Sequence, residues 1–245
     1  MRLIDDHPAS GSWNMSVDQA LLTAADDVGQ ITLRWYRWQE PTLSLGYFQK
    51  AADRDQHTSS KTCPLVRRAS GGGAILHDQE LTYSLCIPSK SRWSKKNSQL
   101  YSMFHDAIIE SLGRRNINAA LYADDDTNSV GDKNAFLCFQ RRTSGDIVVA
   151  DQKVVGSAQR RLKNAVLQHG SILITKSNSA PELSGIENLC ASKIDVANLI
   201  SEVTSSIAGQ LSLTIVESPL ANSEIEIASE IEKKKFGNKH WTLNR

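Results

Sequence analysis

Three consecutive glycines that follow two arginines form the first stretch of this sequence with a recognisable chemistry. The stretch spans residues 67–77 and reads RRASGGGAILH. Glycine lets a ligand approach the main chain closely, and exposed backbone N–H groups can hold a carboxylate, a phosphate or a developing oxyanion. An isolated glycine run is more often an ordinary tight turn, so a functional assignment depends on the residues that accompany it.

Lys153 is the second candidate for a chemical role. It follows a predicted hairpin turn in the stretch 145–160, which reads GDIVVADQKVVGSAQR. A lysine in a strand is more often an exposed edge residue. An ammonium group near the glycine stretch would, however, stabilise the negative charge that develops when a thioester or an acyl-adenylate is attacked. We therefore predict an electrostatic role for Lys153 beside the carbonyl or carboxylate of a bound ligand.

Four cysteines supply the candidate nucleophiles. Cys63, Cys86, Cys138 and Cys190 are widely separated and form no Cys-x-x-Cys pair, which argues against a structural zinc site, and no metal is expected. A single cysteine is most often a small buried hydrophobe, and we interpret Cys63 and Cys86 in this way. Cys138 is followed by arginines at 141 and 142, and positive neighbours favour the thiolate that attacks thioesters. Cys190 is the rival nucleophile.

The order of these blocks resembles the lipoate–protein ligase and octanoyl/lipoyl transferase family, which is related to biotin–protein ligases. The resemblance rests on the two stretches above, on LQHGSILI at 167–174, and on upstream matches at 14–15, 33–38 and 41–49. It covers most of residues 10–190. It implies one catalytic domain over residues 1–245, with a possible small C-terminal subregion at 195–245, built on a central mixed β-sheet flanked by helices.

The resemblance also implies roles for individual residues. In the octanoyl transferases of the family, a Cys-Phe pair upstream of the lysine motif carries the acyl group as a thioester. This sequence has the pair at 138–139, although QRRTS at 140–144 replaces the Pro-Ser-type continuation. The family lysine contacts the acyl carbonyl region, which implies that role for Lys153 beside the catalytic Cys138. The substrate-binding residues implied with this pair are Arg68, Ser70, Gly71, Gly72, Gly73, His77, Gly156, Ser157, Ala158, His169 and Gly170.

Three functions follow from these residues. The one that Cys138 favours is transfer of an octanoyl group from acyl carrier protein to a lysine of a lipoyl domain or a glycine-cleavage carrier protein, with no cofactor. The alternative is an ATP-dependent lipoate–protein ligase, which would use ATP and Mg²⁺, form lipoyl-AMP and need no cysteine. The second alternative is a non-catalytic relative that binds an acyl-carrier domain or a small acid.

Local patterns predict the elements that must position these residues. Apolar residues at helical spacing predict helices at 14–28, 98–113 and 194–211, and a charged helix is predicted at 222–236. β-Branched and aromatic runs predict strands at 31–38, 43–46, 65–66, 74–76, 81–87, 147–149, 153–155, 165–168, 171–174 and 212–216. Strands and helices without regular β-α-β alternation predict an α/β (α+β) fold. An acyl chain also requires an apolar pocket, and its candidate wall residues are Trp35, Tyr36, Leu45, Tyr47 and Tyr83.

The composition bears on which classes of partner the protein is expected to bind. The 245 residues carry a net charge of +1 and are 40% hydrophobic, which gives no general reason to expect a nucleic-acid or membrane partner. No apolar run is long enough to span a bilayer and no secretory signal is recognised, so a cytoplasmic protein is expected. The acidic triplet at 124–126 is interpreted as a solvated loop without a metal, and the basic triplet at 233–235 as a solvated face.

Overall fold

The computed structural model describes residues 1–123, 135–190 and 192–244. Its strands are β1 (Arg2–Asp5), β2 (Thr32–Tyr36), β3 (Thr42–Leu45), β4 (Leu65–Arg67), β5 (Ile75–His77), β6 (Glu80–Ile87), β7 (Ala119–Leu121), β8 (Ile147–Val149), β9 (Gln152–Leu162), β10 (Ala165–Leu173) and β11 (Val216–Glu217). Its α-helices are α1 (Gly11–Val28), α2 (Asn97–Gly113), α3 (Ile186–Cys190), α4 (Val196–Leu211), α5 (Asn222–Ile231) and α6 (Lys239–Leu243). The acidic triplet at 124–126 lies outside the described residues.

Two sheets organise these strands. The larger sheet has the order β11-β1-β2-β6-β10-β9-β8-β7, in which β1 runs parallel to β2 and β11 and the other neighbours are antiparallel. The smaller sheet has the order β4-β3-β5, with β3 parallel to β4 and antiparallel to β5. The predicted mixed sheet with flanking helices is confirmed.

Helices cover both faces of the larger sheet. Leu85 of β6 belongs to a core that includes Phe104 of α2 and Val203 of α4. The next residue, Cys86, belongs to a separate core with Val17 and Leu21 of α1 and Ala228 of α5. Adjacent strand residues point to opposite faces, so the two cores lie on opposite sides of the sheet. No helix in the described ranges is long and apolar enough to cross a membrane.

Helix α1 begins three residues before its predicted start. The side chain of Ser10 accepts a hydrogen bond from the Trp13 N–H at 3.3 Å, and so it caps the helix. Asn14 lies inside the helix and is buried, and its side-chain oxygen accepts a hydrogen bond from Arg34 Nη2 at 2.8 Å.

Strand β10 is continuous where the sequence predicted two strands. Gly170 pairs with Tyr83 on β6 and with Ser157 on β9 within regular ladders. A Cβ atom at Gly170 would lie 2.4 Å from Ser157 Oγ and 2.7 Å from Tyr83 Cε1. Glycine is therefore required here for close packing and does not end the strand.

The C-terminal residues are tied to distant parts of the chain. Glu224 of α5 accepts hydrogen bonds from Arg2 Nη1 and Nη2 at 2.5 and 2.8 Å, in a buried ion pair. Further along, Trp241 Nε1 donates to the Arg67 carbonyl oxygen at 2.9 Å, and Arg67 Nη2 donates to the Thr242 carbonyl oxygen at 2.9 Å. The helix predicted over 222–236 is α5 followed by a π turn at Glu232–Phe236.

Candidate active site

Arg68 supports the glycine loop between β4 and β5. Its guanidinium is buried and donates to the carbonyl oxygens of Gly71 (2.9 Å), Gly73 (2.6 Å) and Ser44 (3.1 Å). Burial lowers the pKa of Arg68 to about 10, which still leaves the group cationic at neutral pH. The loop is therefore built around a buried positive charge.

Two glycines are required by the geometry of this loop. Gly72 has a φ of +95°, in the region that L side chains rarely adopt. Gly46, which directly follows β3, approaches the same residue so closely that a Cβ atom would lie 2.0 Å from the Gly72 carbonyl oxygen. Gly71 has neither constraint, because a Cβ atom there would meet only Phe48 at 3.7 Å.

Main-chain hydrogen bonds hold Cys138 against the glycine loop. The Cys138 N–H donates to the Ala74 carbonyl oxygen at 2.6 Å, and the Ala74 N–H donates to the Phe136 carbonyl oxygen at 3.0 Å. A short 3₁₀ turn then covers Cys138–Gln140. The thiol is half-buried, as a nucleophile that must meet a substrate requires.

Lys153 lies beside this thiol. Its Nζ is 3.9 Å from Cys138 Sγ and 2.8 Å from Asp146 Oδ2. The lysine and aspartate side chains are 5% and 3% exposed. Lys153 is therefore not an exposed edge lysine. The Lys153 amino group therefore has a thiol and a carboxylate as its neighbours in a buried position.

Asp146 was not predicted from the sequence. Its Oδ2 also accepts hydrogen bonds from the Thr143 N–H (2.8 Å) and Oγ1 (3.0 Å), and Gly145 between them has a φ of +95°. These contacts close a tight turn just before β8. A Thr-Ser-Gly-Asp stretch ahead of a strand is a turn signal, but that pattern alone does not say which residue the carboxylate will bind.

The cations near Cys138 come from distant parts of the chain. Arg68 interacts electrostatically with the Cys138 thiol, and Lys153 is the second cation. The neighbouring arginines have other partners: Arg141 Nε donates to the Ala135 carbonyl oxygen at 2.6 Å, and the Arg142 guanidinium lies 5.8 Å from the Tyr122 ring centre. Arg141 and Arg142, the positive neighbours predicted from the sequence, therefore have contacts of their own, and Lys153 and Arg68 are further cations at this cavity.

His77 is oriented by a glutamate. Its Nδ1 lies 2.8 Å from Glu80 Oε1 and its Nε2 lies 2.8 Å from Ser44 Oγ. The adjacent Asp78 instead accepts a hydrogen bond from Ser177. Ser44 is fully buried on β3, so this acid–imidazole–hydroxyl series supports the smaller sheet. Glu80 Oε2 is buried without a hydrogen-bond partner.

Two other histidines are held neutral by burial. Desolvation lowers the pKa of both His169 and His105 to about 4. His169 Nε2 lies 2.9 Å from Ser70 Oγ and so joins β10 to the glycine loop. His105 Nδ1 must donate to the Gly145 carbonyl oxygen (2.7 Å), which leaves Nε2 to accept from Ser157 Oγ (2.7 Å). His105 was not predicted, since its helix position gives no sign of this contact.

The predicted residues meet around one cavity of about 120 Å³. Those that line it are Arg68, Gly71, His77, Cys138, Lys153, Gly156, Ser157, Ala158, His169 and Gly170, together with the unpredicted Met15, Thr143 and Asp146. Ser70 lines a smaller neighbouring cavity, and Gly72 and Gly73 shape the loop.

Other predicted residues lie elsewhere. Of the wall candidates, Tyr36 lines the main cavity, whereas Trp35 and Tyr83 pack in the core with Phe104 and Leu45 packs in the core of the smaller sheet. Tyr47 packs against Phe48 and Trp241. Cys190 ends α3 and does not line the cavity. Within the described ranges, no group of three or more His, Cys, Asp or Glu residues is arranged to hold a metal ion.

Comparisons with known proteins agree with this geometry. The family described as the lipoyl protein ligase A/B catalytic domain matches residues 10–206. The chain is 30% identical over 269 positions to octanoyltransferase LipM of Clostridioides difficile strain 630, covering 100% of this chain and 98% of that one.

Solved structures share the fold. One is lipoate-protein ligase A bound with ATP, with a TM-score of 0.77 and 20% identity over 99% of this chain and 98% of that chain. Another comes from an archaeal lipoylation system, a bi-partite lipoate protein ligase and its E2 lipoyl domain from Thermoplasma acidophilum. Its TM-score is 0.77, with 17% identity over 99% of this chain and 95% of that chain.

Proposed function

This chain belongs to the lipoyl protein ligase A/B catalytic domain family, and we propose that it moves an octanoyl group from acyl carrier protein to a lysine of a lipoyl domain or a glycine-cleavage carrier protein. The family resemblance read from the sequence is confirmed. The chain is an acyltransferase, the class of its full-length relatives. The proposal adds the donor, the acceptor, the covalent intermediate and a single catalytic domain over the whole chain.

The observation that carries the proposal is the 3.9 Å approach of Lys153 Nζ to Cys138 Sγ inside the cavity. A thiolate is the reactive form of cysteine, and the cationic side chains of Lys153 and Arg68 line the same cavity as the Cys138 thiol. A ligase that activates its substrate with ATP has no need of a thiol held in this way.

In the first step, the Cys138 thiolate attacks the carbonyl carbon of the octanoyl thioester. A new C–S bond forms to Cys138, and the C–S bond to the carrier breaks. The proton that the Cys138 thiol gave up ends on the carrier thiol. The oxygen carries negative charge in between, and the Lys153 ammonium stabilises it, an effect that can contribute about 10²–10³ in rate.

In the second step, the free amine of the acceptor lysine attacks the octanoyl–Cys138 thioester. A C–N bond forms and the C–S bond breaks, so that Cys138 leaves as a thiolate beside Lys153 Nζ. The proton that the amine loses in forming the amide passes to this sulfur, and the enzyme returns to its starting thiol.

The test is acyl transfer to an apo lipoyl domain under two conditions. We expect product with octanoyl carrier protein in the absence of ATP. Product only with octanoate, ATP and Mg²⁺ would make the protein a ligase. No product under either condition would favour the non-catalytic binding protein.

A further inference from the structure

Two cavities meet at Met15. The main cavity of about 120 Å³ contains the Cys138 and Lys153 side chains. A second cavity of about 20 Å³ lies beside it and is lined by neither of them. Met15 and His169 line both cavities, so these two side chains form the partition.

The second cavity is suited to an aliphatic chain. Its walls include Leu22 of α1, Leu162 and Leu167 of the β9–β10 hairpin, and Phe236. Asp18, Gln19 and Arg160 also border it. Asp18 already accepts hydrogen bonds from Arg34 (2.9 Å), Tyr36 (3.0 Å) and Ser84 (2.7 Å). Gln19 accepts one from Lys235 (2.5 Å), and Arg160 donates one to the Ala69 carbonyl oxygen. A methylene chain that entered this space would therefore meet apolar side chains and polar side chains that already have hydrogen-bond partners.

The two halves of the partition differ in how firmly they are held. His169 is fixed because its ring is bonded to Ser70 and lies in the β10 strand. Met15 is 6% exposed and has an unbranched side chain with three rotatable bonds and no strong polar group to anchor it. Met15 is thus the part of the partition that a substitution can remove without breaking a hydrogen bond of its side chain.

We propose that Met15 determines the length of the acyl chain that the enzyme accepts, by closing the main cavity off from the apolar space behind it. This inference rests on the proposed acyl transfer. Burial of each additional methylene improves binding about fourfold. Shortening Met15 therefore increases the preference for acyl chains longer than octanoyl, and a bulkier residue at this position increases the preference for shorter ones.

The experiment compares competing donors in one reaction, octanoyl and dodecanoyl carrier protein, with the wild type, Met15→Ala and Met103→Ala. Met103 is also 6% exposed, lies on α2 and lines neither cavity, so it is a matched control for the loss of a buried methionine. We expect the dodecanoyl-to-octanoyl ratio of kcat/KM to rise by roughly tenfold or more in Met15→Ala and to stay at the wild-type value in Met103→Ala. Equal ratios in the two variants would overturn the inference.

Two further measurements separate the possible failures. Met15→Phe should lower the octanoyl-to-hexanoyl ratio, which tests the same partition in the opposite direction if Met15→Ala folds poorly. If the wild type transfers no acyl group, the proposed function fails. In that case, calorimetric titration of the wild type and Met15→Ala with dodecanoate and octanoate tests the role of Met15, because binding does not require turnover. The inference predicts that the affinity for dodecanoate relative to octanoate is higher in Met15→Ala. The same relative affinity in both proteins would reject it.

Discussion

Asp146 holds the ammonium group of Lys153 in an almost fully buried ion pair, 2.8 Å from oxygen to nitrogen. The pair is placed so that the other side of the ammonium faces the Cys138 thiol. Breaking a buried ion pair by removing one partner costs about 3–5 kcal/mol, because the remaining charge is left without compensation. Lys153 therefore contributes to folding as well as to the proposed chemistry.

Lys153→Met should lower transfer by about 10²–10³ and the free energy of unfolding by about 3–5 kcal/mol. Adding Asp146→Asn should restore much of the stability, since the buried carboxylate is gone, but none of the activity. Urea unfolding and acyl transfer assays measure the two effects. If Lys153→Met alone were as stable and as active as the wild type, Lys153 would have neither the folding role nor the chemical role.

Cys138→Ser should abolish both transfer and acyl-enzyme formation, because a hydroxyl is a far poorer nucleophile than a thiolate at neutral pH. With octanoyl carrier protein alone, the wild type should gain an octanoyl adduct that peptide mapping places on Cys138 and hydroxylamine removes. Cys190→Ser is the control and should behave as the wild type. An adduct on Cys190 would reverse the assignment.

Gly46→Ala should reduce transfer on the order of 10²-fold, the loss expected when a catalytic element is displaced by about 1 Å. Its Cβ atom would collide with the Gly72 carbonyl oxygen at 2.0 Å and push the glycine loop away from Arg68. The control is Gly113→Ala at the end of α2, where a Cβ atom meets nothing within 4 Å. Equal activity in the two variants would show that the loop tolerates the shift.

His105 should make stability fall as the pH is lowered. Burial lowers its pKa from 6.5 to about 4 in the folded protein, so between these values the unfolded chain binds the extra proton. The stabilisation that depends on a neutral His105 is fully present above pH 6.5 and is lost progressively as the pH falls toward 4. Between pH 6.5 and pH 4, the free energy of unfolding of His105→Gln should therefore fall by roughly 3 kcal/mol less than that of the wild type. Urea unfolding at pH 7 and at pH 4.5 measures it, with the exposed His7→Gln as control. The same pH dependence in both variants would contradict the assignment.

Local patterns predicted the elements well where one face of a helix or strand is apolar. Helix α2 was expected at 98–113 and lies at Asn97–Gly113, because its buried residues recur every three or four positions. Strand β1 was not predicted, since its four residues carry no alternating pattern and Arg2 is buried through its bonds to Glu224. That contact joins residues 222 positions apart, beyond the reach of a local pattern.

The candidate site, like the fold, could be predicted only in part from local sequence. Cys138, Lys153 and the glycine loop were recognised by type and order, and the structure brings them together around one cavity. Their partners were not recognised, because partner choice depends on packing. The partner of His77, for example, is Glu80, which the turn that follows β5 returns to the imidazole. Likewise, Arg141 and Arg142 follow Cys138 closely in the sequence, but their contacts with the Ala135 carbonyl oxygen and the Tyr122 ring could not be predicted from it.

The bond between Trp241 and the Arg67 carbonyl oxygen has a consequence for how the protein is made. Translation proceeds from the N-terminus, so the residues of the glycine loop leave the ribosome long before Trp241 and Thr242 exist to support them. The early part of the chain can collapse around its sheet while this support is still missing. A nascent chain thus lacks this support next to the glycine loop until Trp241 and Thr242 have been synthesised, and a truncation that removes these two residues removes the support.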